Sequence, residues 1–332
     1  MTFAWPLRRT AILANLRSEL RHDSFQACFH ARWSSLHDPH VRALAWLIDA
    51  PDLLDPVASQ WGGQIATLPP DSTVAGWLSA LDNDPSRLTQ YLALRPFERL
   101  GRYAEKLLAF YFLHLGTLVA HGVQVHAGDR TIGEFDYLLR EGAALVHWEF
   151  ATKLYLLESS ASGGYFVGPN LADTLLTKMG KILDRQLALG QHPAAQTQLP
   201  GPIDRAEALI KGWLFYHGDD LAPAALGLHP AHCRGWWCTL AEASTIESYG
   251  SLMLSRLQWL APQQVAAEKV LDGRQTLLAL QAHFSVDSRP VVVALMQAEG
   301  AVAREVSRGF VVPNDWRERA GQRVQRSFIS AA

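Results

Sequence analysis

The sequence predicts a mixed α/β fold centred on a helix, a three-stranded meander, a second helix and a further strand, the order αβββαβ. Three observations carry that reading. Residues 118–157 form three runs of strand-like character, parted by Gly128-Asp129 and Glu141-Gly142, the residue pairs that tight hairpins use. An amphipathic helical stretch stands before them, and another separates them from the apolar run Arg205–His217. Strands joined by such short turns are antiparallel neighbours, whereas a strand reached through a helix needs a crossover.

Residues 1–96 read as a helical region of their own. His40–Asp49 carries Val41, Leu44, Ala45, Leu47 and Ile48 at helical spacing and stops at Ala50-Pro51, because the residue before a proline is pushed out of the helical region. Ser72 is placed to cap a second helix through Leu81, and Asp84-Pro85 opens a third with proline in its first turn. No catalytic constellation stands out here, so packing or recognition of a protein partner is the expected role. Residues 97–217 hold the central order of elements. Pro96 starts a helix whose apolar stripe, Phe97, Leu100, Ala104, Leu108, Tyr111 and Leu115, ends at Gly116. Strands are predicted over Leu118–His126, Thr131–Arg140 and Ala143–Leu157, then a loop over Glu158–Gly164, a helix over Leu171–Leu189 and a strand over Arg205–His217. Residues 218–314 read as a smaller mixed module, with a helix in Glu268–Phe284 and strands in Arg289–Met296 and Glu305–Val312. In Arg234-Gly235-Trp236-Trp237 the alternation of a strand would bury only one tryptophan. Residues 315–332 are charged and expected to be loose.

Composition narrows the class. The 332 residues are 48% hydrophobic with net charge −2, enough for real cores and too balanced for a global basic field, so any nucleic-acid contact must come from a local patch. Three cysteines, Cys28, Cys233 and Cys238, make no disulfide framework, and a reducing cytoplasm is the expected location. His232, Cys233 and Cys238 lack the second ligand pair of a structural zinc site, so core thiols are expected instead. No run approaches the roughly 18 apolar residues of a membrane span, so no membrane partner is expected.

The chemistry concentrates in the meander. With a period of two, Glu134 and Asp136 share one face of their strand, and His147, Glu149, Ala151, Lys153 and Tyr155 share one face of the next. Adjacent strands then put three carboxylates and a lysine on a common surface. Like charges so close repel, and burial adds a desolvation penalty of several kcal/mol per uncompensated ion. Two readings fit: a divalent cation compensates the cluster, or the face is wet and Glu149 and Lys153 form a surface pair worth about 0–1 kcal/mol. On the helix that follows, Lys178, Lys181 and Arg185 recur at i, i+3 and i+7, a basic face that is either solvated surface or a phosphate contact.

The order αβββαβ, with Asp136 on the second strand, Glu149 opening a Glu-x-x-x-Lys stretch on the third and Glu105 on the first helix, resembles the restriction-endonuclease-like core of the PD-(D/E)XK superfamily. More closely, GEFDYLL, VHWEFATKLYL, VGPNL, DRQLAL, KGWLFYH and RGWW resemble a bacterial family known as domain of unknown function number 1853, over most of residues 95–315. The superfamily resemblance implies a metal-dependent nuclease acting on DNA or RNA. Asp136, Glu149 and Lys153 would be catalytic, with Glu105, Asp136 and Glu149 ligating Mg²⁺ or Mn²⁺ and Lys178, Lys181 and Arg185 gripping nucleic acid. The superfamily lysine falls at position 151, which is Ala151, and Lys153 lies one pleat further on the same face. That displacement keeps open the alternative of an inactive nuclease-like fold that binds nucleic acid or protein.

Overall fold

The computed structural model describes residues 24–69, 71–93, 99–160, 163–223 and 226–329. Helices α1 (Phe25–Trp33), α2 (Pro39–Asp49), α3 (Val74–Asn83) and α4 (Ser86–Ala93) come first. Asp38 caps α2 by accepting from His40 N and Val41 N, and the helix ends at Ala50, whose ψ of 140 is extended, as a residue ahead of proline requires. The expected start of the next helix at Pro96 lies outside the described residues. From Leu100 that helix, α5 (Leu100–His114), runs to a turn at Gly116, whose φ of 69 only glycine adopts without strain.

Strands β1 (Leu118–Ala127), β2 (Arg130–Glu141) and β3 (Ala144–Ser160) form the antiparallel meander. The loop expected over Glu158–Gly164 is instead the end of β3 and the start of β4 (Gly163–Val167), which pairs antiparallel with it from Leu156↔Val167 onward. Small polar residues there fold back as a hairpin arm because backbone pairing with β3 needs no apolar side chains. The following helix α6 (Leu175–Lys181) passes into a π turn over Ile182–Gln186 and a 3₁₀ turn over Leu187–Gln191, where one continuous helix was predicted. After a short α7 (Pro193–Gln196), β5 (Arg205–Tyr216) lies parallel to β3.

Strands β6 (Cys233–Thr239), β7 (Gly250–Leu254), β8 (Gln264–Ala266), β9 (Val291–Glu299) and β10 (Val302–Val312) belong to the same sheet, with α8 (Gly273–Val286) ahead of β9. The order is β1-β2-β3-β5-β6-β10-β9-β7, with β4 on β3 and β8 on β10. Pairs β3/β5, β5/β6 and β6/β10 are parallel. The strands of 218–314 thus continue the hydrogen-bonded sheet of 97–217.

Apolar clusters cover both faces of the sheet centre. On one side Trp46 of α2 stacks on Trp213 of β5 with centroids 6.2 Å apart, and α5 sends Phe112 edge-on against Tyr137 and Trp148; each such pair adds about 0.5–1.5 kcal/mol beyond its buried area. On the other, Met179 of α6 packs with Tyr155, Ile210 and Leu214. This double cover corrects the expectation for Trp236 and Trp237. They point to opposite faces, yet both are buried, at 1% and 0% exposure. Trp237 meets Trp316 at 5.1 Å, while Trp236 lies over Gly309, where a Cβ would stand 2.1 Å from its ring. The expectation of a loose tail is also corrected. Helix α9 (Trp316–Ile329) docks through buried Trp316, whose Nε1 donates to Pro169 O at 2.7 Å, and only 330–332 of the tail lie outside the described residues. Among the described residues no helix is long and apolar enough to cross a membrane.

Candidate metal-binding groove

Strands β2 and β3 pair only over Tyr137–Glu141 and Ala144–Trp148. Below Tyr137, β1 is the one strand paired with β2 among the described residues; beyond Trp148, β3 runs beside β5 until β4 joins at Leu156. The two strands therefore part at Asp136 and Glu149, the next residues after the Tyr137↔Trp148 pair, which lie on one face of the sheet. A groove of about 750 Å³ opens there, walled by residues of β2, β3, α5 and α6.

Asp136 takes the place of the missing strand partner: its Oδ2 accepts from Phe150 N at 2.9 Å, which satisfies a β3 amide that no strand reaches. Glu105 comes from α5 on the opposite face and reaches the groove because the strands have parted. Its turn is fixed by Tyr137, whose hydroxyl donates to Glu105 O at 2.7 Å. Oxygens of Glu105, Glu134 and Asp136 all lie within 4.8 Å of one another. Arg102 meets this group at the rim, 3.2 Å from Glu134. Glu149 stands behind them, only 1% exposed. His147 Nε2 lies 3.0 Å from its Oε1, and Gln186 donates to its Oε2.

Burial, then the charge on Asp136, pushes the Glu105 carboxyl up to about 7, against the pull of Arg102. Burial, then Glu149, pushes Asp136 up to about 7, against the Phe150 N–H. Glu149 also rises to about 7 through burial, opposed first by the Lys178 ammonium. His147 is pushed down to about 4 by burial, so it is neutral near pH 7.

Lys153 lines the groove, but its ammonium lies 2.8 Å from Asp173 Oδ2, and Tyr155 donates to the same oxygen at 3.3 Å. Lys178, Lys181 and Arg185 line the opposite wall, with Lys178 half-buried and the other two exposed. Lys178 donates to Gln186 Oε1 at 3.2 Å, so Gln186 bridges the lysine to Glu149.

Of the residues the sequence singled out, Glu105 and Asp136 come together with Glu134, which was read onto the shared face but not into the expected ligand set. Its spacing of two from Asp136 was the available signal. Gln186 was missed: at i+8 from Lys178 it belongs off the helix face, and the π turn, by inserting a residue, brings it back to the i+7 position. Hard carboxylate oxygens in a partly dehydrated pocket suit Mg²⁺ or Mn²⁺ and not a soft metal. His232, Cys233 and Cys238 make no such group: both thiols are buried and free, and His232 Nε2 lies 2.7 Å from Tyr216 Oη.

A family model, Domain of unknown function (DUF1853), matches residues 42–312 of the 332. No curated protein and no solved structure matches the chain significantly.

Proposed function

The chain belongs to the family Domain of unknown function (DUF1853), and we propose that it is a divalent-metal-dependent nuclease, built on a restriction-endonuclease-like core and hydrolysing phosphodiester bonds of DNA or RNA. The observation that carries this reading is the pairing of opposites in one groove: carboxylates crowded at its base, and Arg99, Arg102, Lys153, Lys178, Lys181 and Arg185 along its walls. A negatively charged polymer needs the cations, and a hydrolytic ion needs the carboxylates.

Glu105, Glu134 and Asp136 are the residues that would hold Mg²⁺ or Mn²⁺, with Glu149 behind them. When bound, such an ion supplies Lewis acidity toward a phosphoryl oxygen and lowers the pKa of water. The chain's own work is to place the phosphodiester. Exposed Lys181 and Arg185 grip backbone phosphates with salt-sensitive, sequence-independent affinity. Glu149 is pinned beside Asp136 by His147 and Gln186. Three free thiols accord with a reducing compartment, and the cytoplasm is the location this reading assigns.

A second reading is favoured by one observation. Ala151 stands where a superfamily lysine is expected and Lys153 is paired with Asp173, which fits a fold that binds nucleic acid without cutting it. The deciding experiment is cleavage of single- and double-stranded DNA and RNA with Mg²⁺ or Mn²⁺, comparing wild type with Asp136→Ala and Glu105→Ala. Cleavage by wild type, lost about 10³-fold or more in Asp136→Ala with folding intact, supports the nuclease; binding without cleavage supports the second reading.

A further inference from the structure

The geometry points to Lys178, and not Lys153, as the catalytic lysine of this groove, its ammonium set to contact the phosphoryl group under attack. The assignment rests on the nuclease reading and adds to it which cation does the chemistry.

The two lysines differ in what holds them. Lys153 is anchored: Asp173 takes its ammonium at 2.8 Å and the Tyr155 hydroxyl at 3.3 Å, and Asp173 is itself fixed, its carbonyl accepting from Gly168 N at 2.9 Å. Its charge is therefore cancelled within its own wall. Lys178 has no carboxylate within ion-pair distance among the described residues; its partner is the neutral Oε1 of Gln186 at 3.2 Å. Gln186 donates to Glu149 through its amide nitrogen and presents its oxygen to the lysine, whose side chain lines the groove. An ammonium has three donors, and the Gln186 bond takes one. The rest are left for an anionic ligand. Depth separates Lys178 from its own helix as well, since Lys181 and Arg185 are exposed while Lys178 is half-buried against the carboxylate cluster. The outer two suit a backbone grip, and the inner one suits the reacting phosphate, where a fixed cation stabilises charge that grows in the transition state.

The test is single-turnover cleavage with Mn²⁺ on the same DNA and RNA panel, together with affinity measured in Ca²⁺, for wild type, Lys178→Met, Lys178→Arg and Lys153→Met. Methionine keeps the apolar stem that packs the wall, and thermal unfolding verifies the fold. The expected result is a rate loss of about 10²-fold or more for Lys178→Met with affinity within about threefold, partial recovery in Lys178→Arg, and a rate loss in Lys153→Met smaller than that in Lys178→Met. The assignment is overturned if Lys153→Met abolishes cleavage while Lys178→Met cuts normally. It is equally overturned if Lys178→Met loses rate only in proportion to affinity. A wild type that binds but does not cut removes the nuclease reading, and the assignment goes with it.

Discussion

Two clusters of buried charge in this molecule are built in opposite ways. On β10, Arg308 and Glu305 are both fully buried and meet in a fork, Nε to Oε1 at 2.6 Å and Nη2 to Oε2 at 2.8 Å. The remaining guanidinium donors go to Trp259 O and Ala261 O, Gln263 N donates to Glu305 Oε2, and the Arg308 guanidinium lies 4.4 Å over the Trp213 ring. Every charge there has its opposite and every donor an acceptor. In the groove, Glu105, Glu134, Asp136 and Glu149 crowd together, and the cation paired with one of them at short range is Arg102, out at the rim. Asp136 and Glu149 receive neutral donors from Phe150, His147 and Gln186, and His121 Nε2 lies 3.6 Å from Glu105 Oε1. Burial of charge is common to both clusters, so burial does not distinguish scaffold from site; the unbalanced sign does.

The comparison breaks most visibly if the balanced cluster is opened. Arg308→Leu is expected to cost about 3–5 kcal/mol, because it leaves Glu305 buried without its cation, and urea unfolding would read this as a lower midpoint at unchanged slope. A loss below about 1 kcal/mol would mean that Glu305 finds water or another partner and that the two clusters are not opposites.

The groove responds to pH instead. Its three carboxyls near 7 sit well above their ordinary values of 3.8 and 4.5. Between about pH 4 and 7 the folded state keeps protons that the unfolded chain has already released, so stability falls as pH rises across that window and levels off above it. Each such carboxyl is expected to make the metal-free protein about 2 kcal/mol less stable at pH 8 than at pH 5.5. Mg²⁺ or Mn²⁺ should narrow the difference by favouring the ionised forms, with divalent affinity rising through pH 7. Urea unfolding in chelator and in Mn²⁺ at the two pH values checks both signs.

Asp136→Asn is the smaller, local form of the same experiment. The amide keeps an oxygen for Phe150 N and removes one like charge, so the metal-free variant should gain about 1–2 kcal/mol at pH 8 while losing stabilisation by Mn²⁺. Arg308→Leu and Asp136→Asn then move stability in opposite directions. A variant destabilised like Arg308→Leu would show that Asp136 is scaffold.

The elements that carry this contrast were legible to different degrees. Alternation placed Glu134, Asp136, Glu149 and Lys153 on one face, and the short turns placed their strands side by side, because both are local rules. The parting of β2 from β3, which admits Glu105 from the opposite face, depends on which strands pair where, and no local pattern records that. Gln186 was hidden by the π turn, whose extra residue shifts the helical face. Trp236 and Trp237 were misjudged because a strand covered on both faces loses the inside-outside alternation. The tail was misjudged since two buried side chains, Trp316 and Ala320, anchor a helix rich in charged residues.

The pair Lys153–Asp173 lies between the two clusters in kind, and the smallest expected effect sharpens where it belongs. It is an ion pair like Arg308–Glu305, but its side chains are 27% and 31% exposed, so solvent screens it and its worth is about 0–1 kcal/mol. Asp173→Asn should therefore change stability by less than about 1 kcal/mol, since the backbone bond from Gly168 to the residue 173 carbonyl survives. The freed Lys153 ammonium would add a positive charge to the groove wall and oppose a second cation, lowering Mn²⁺ affinity by about two- to threefold, the size of a screened interaction across several ångströms. Titration calorimetry with Mn²⁺ and urea unfolding on the same variant separate the possibilities. A loss of several kcal/mol with unchanged Mn²⁺ affinity would place Lys153 and Asp173 with the scaffold pair, whereas the small, metal-linked response places them in the groove, where Asp173 holds one cation aside from the carboxylates.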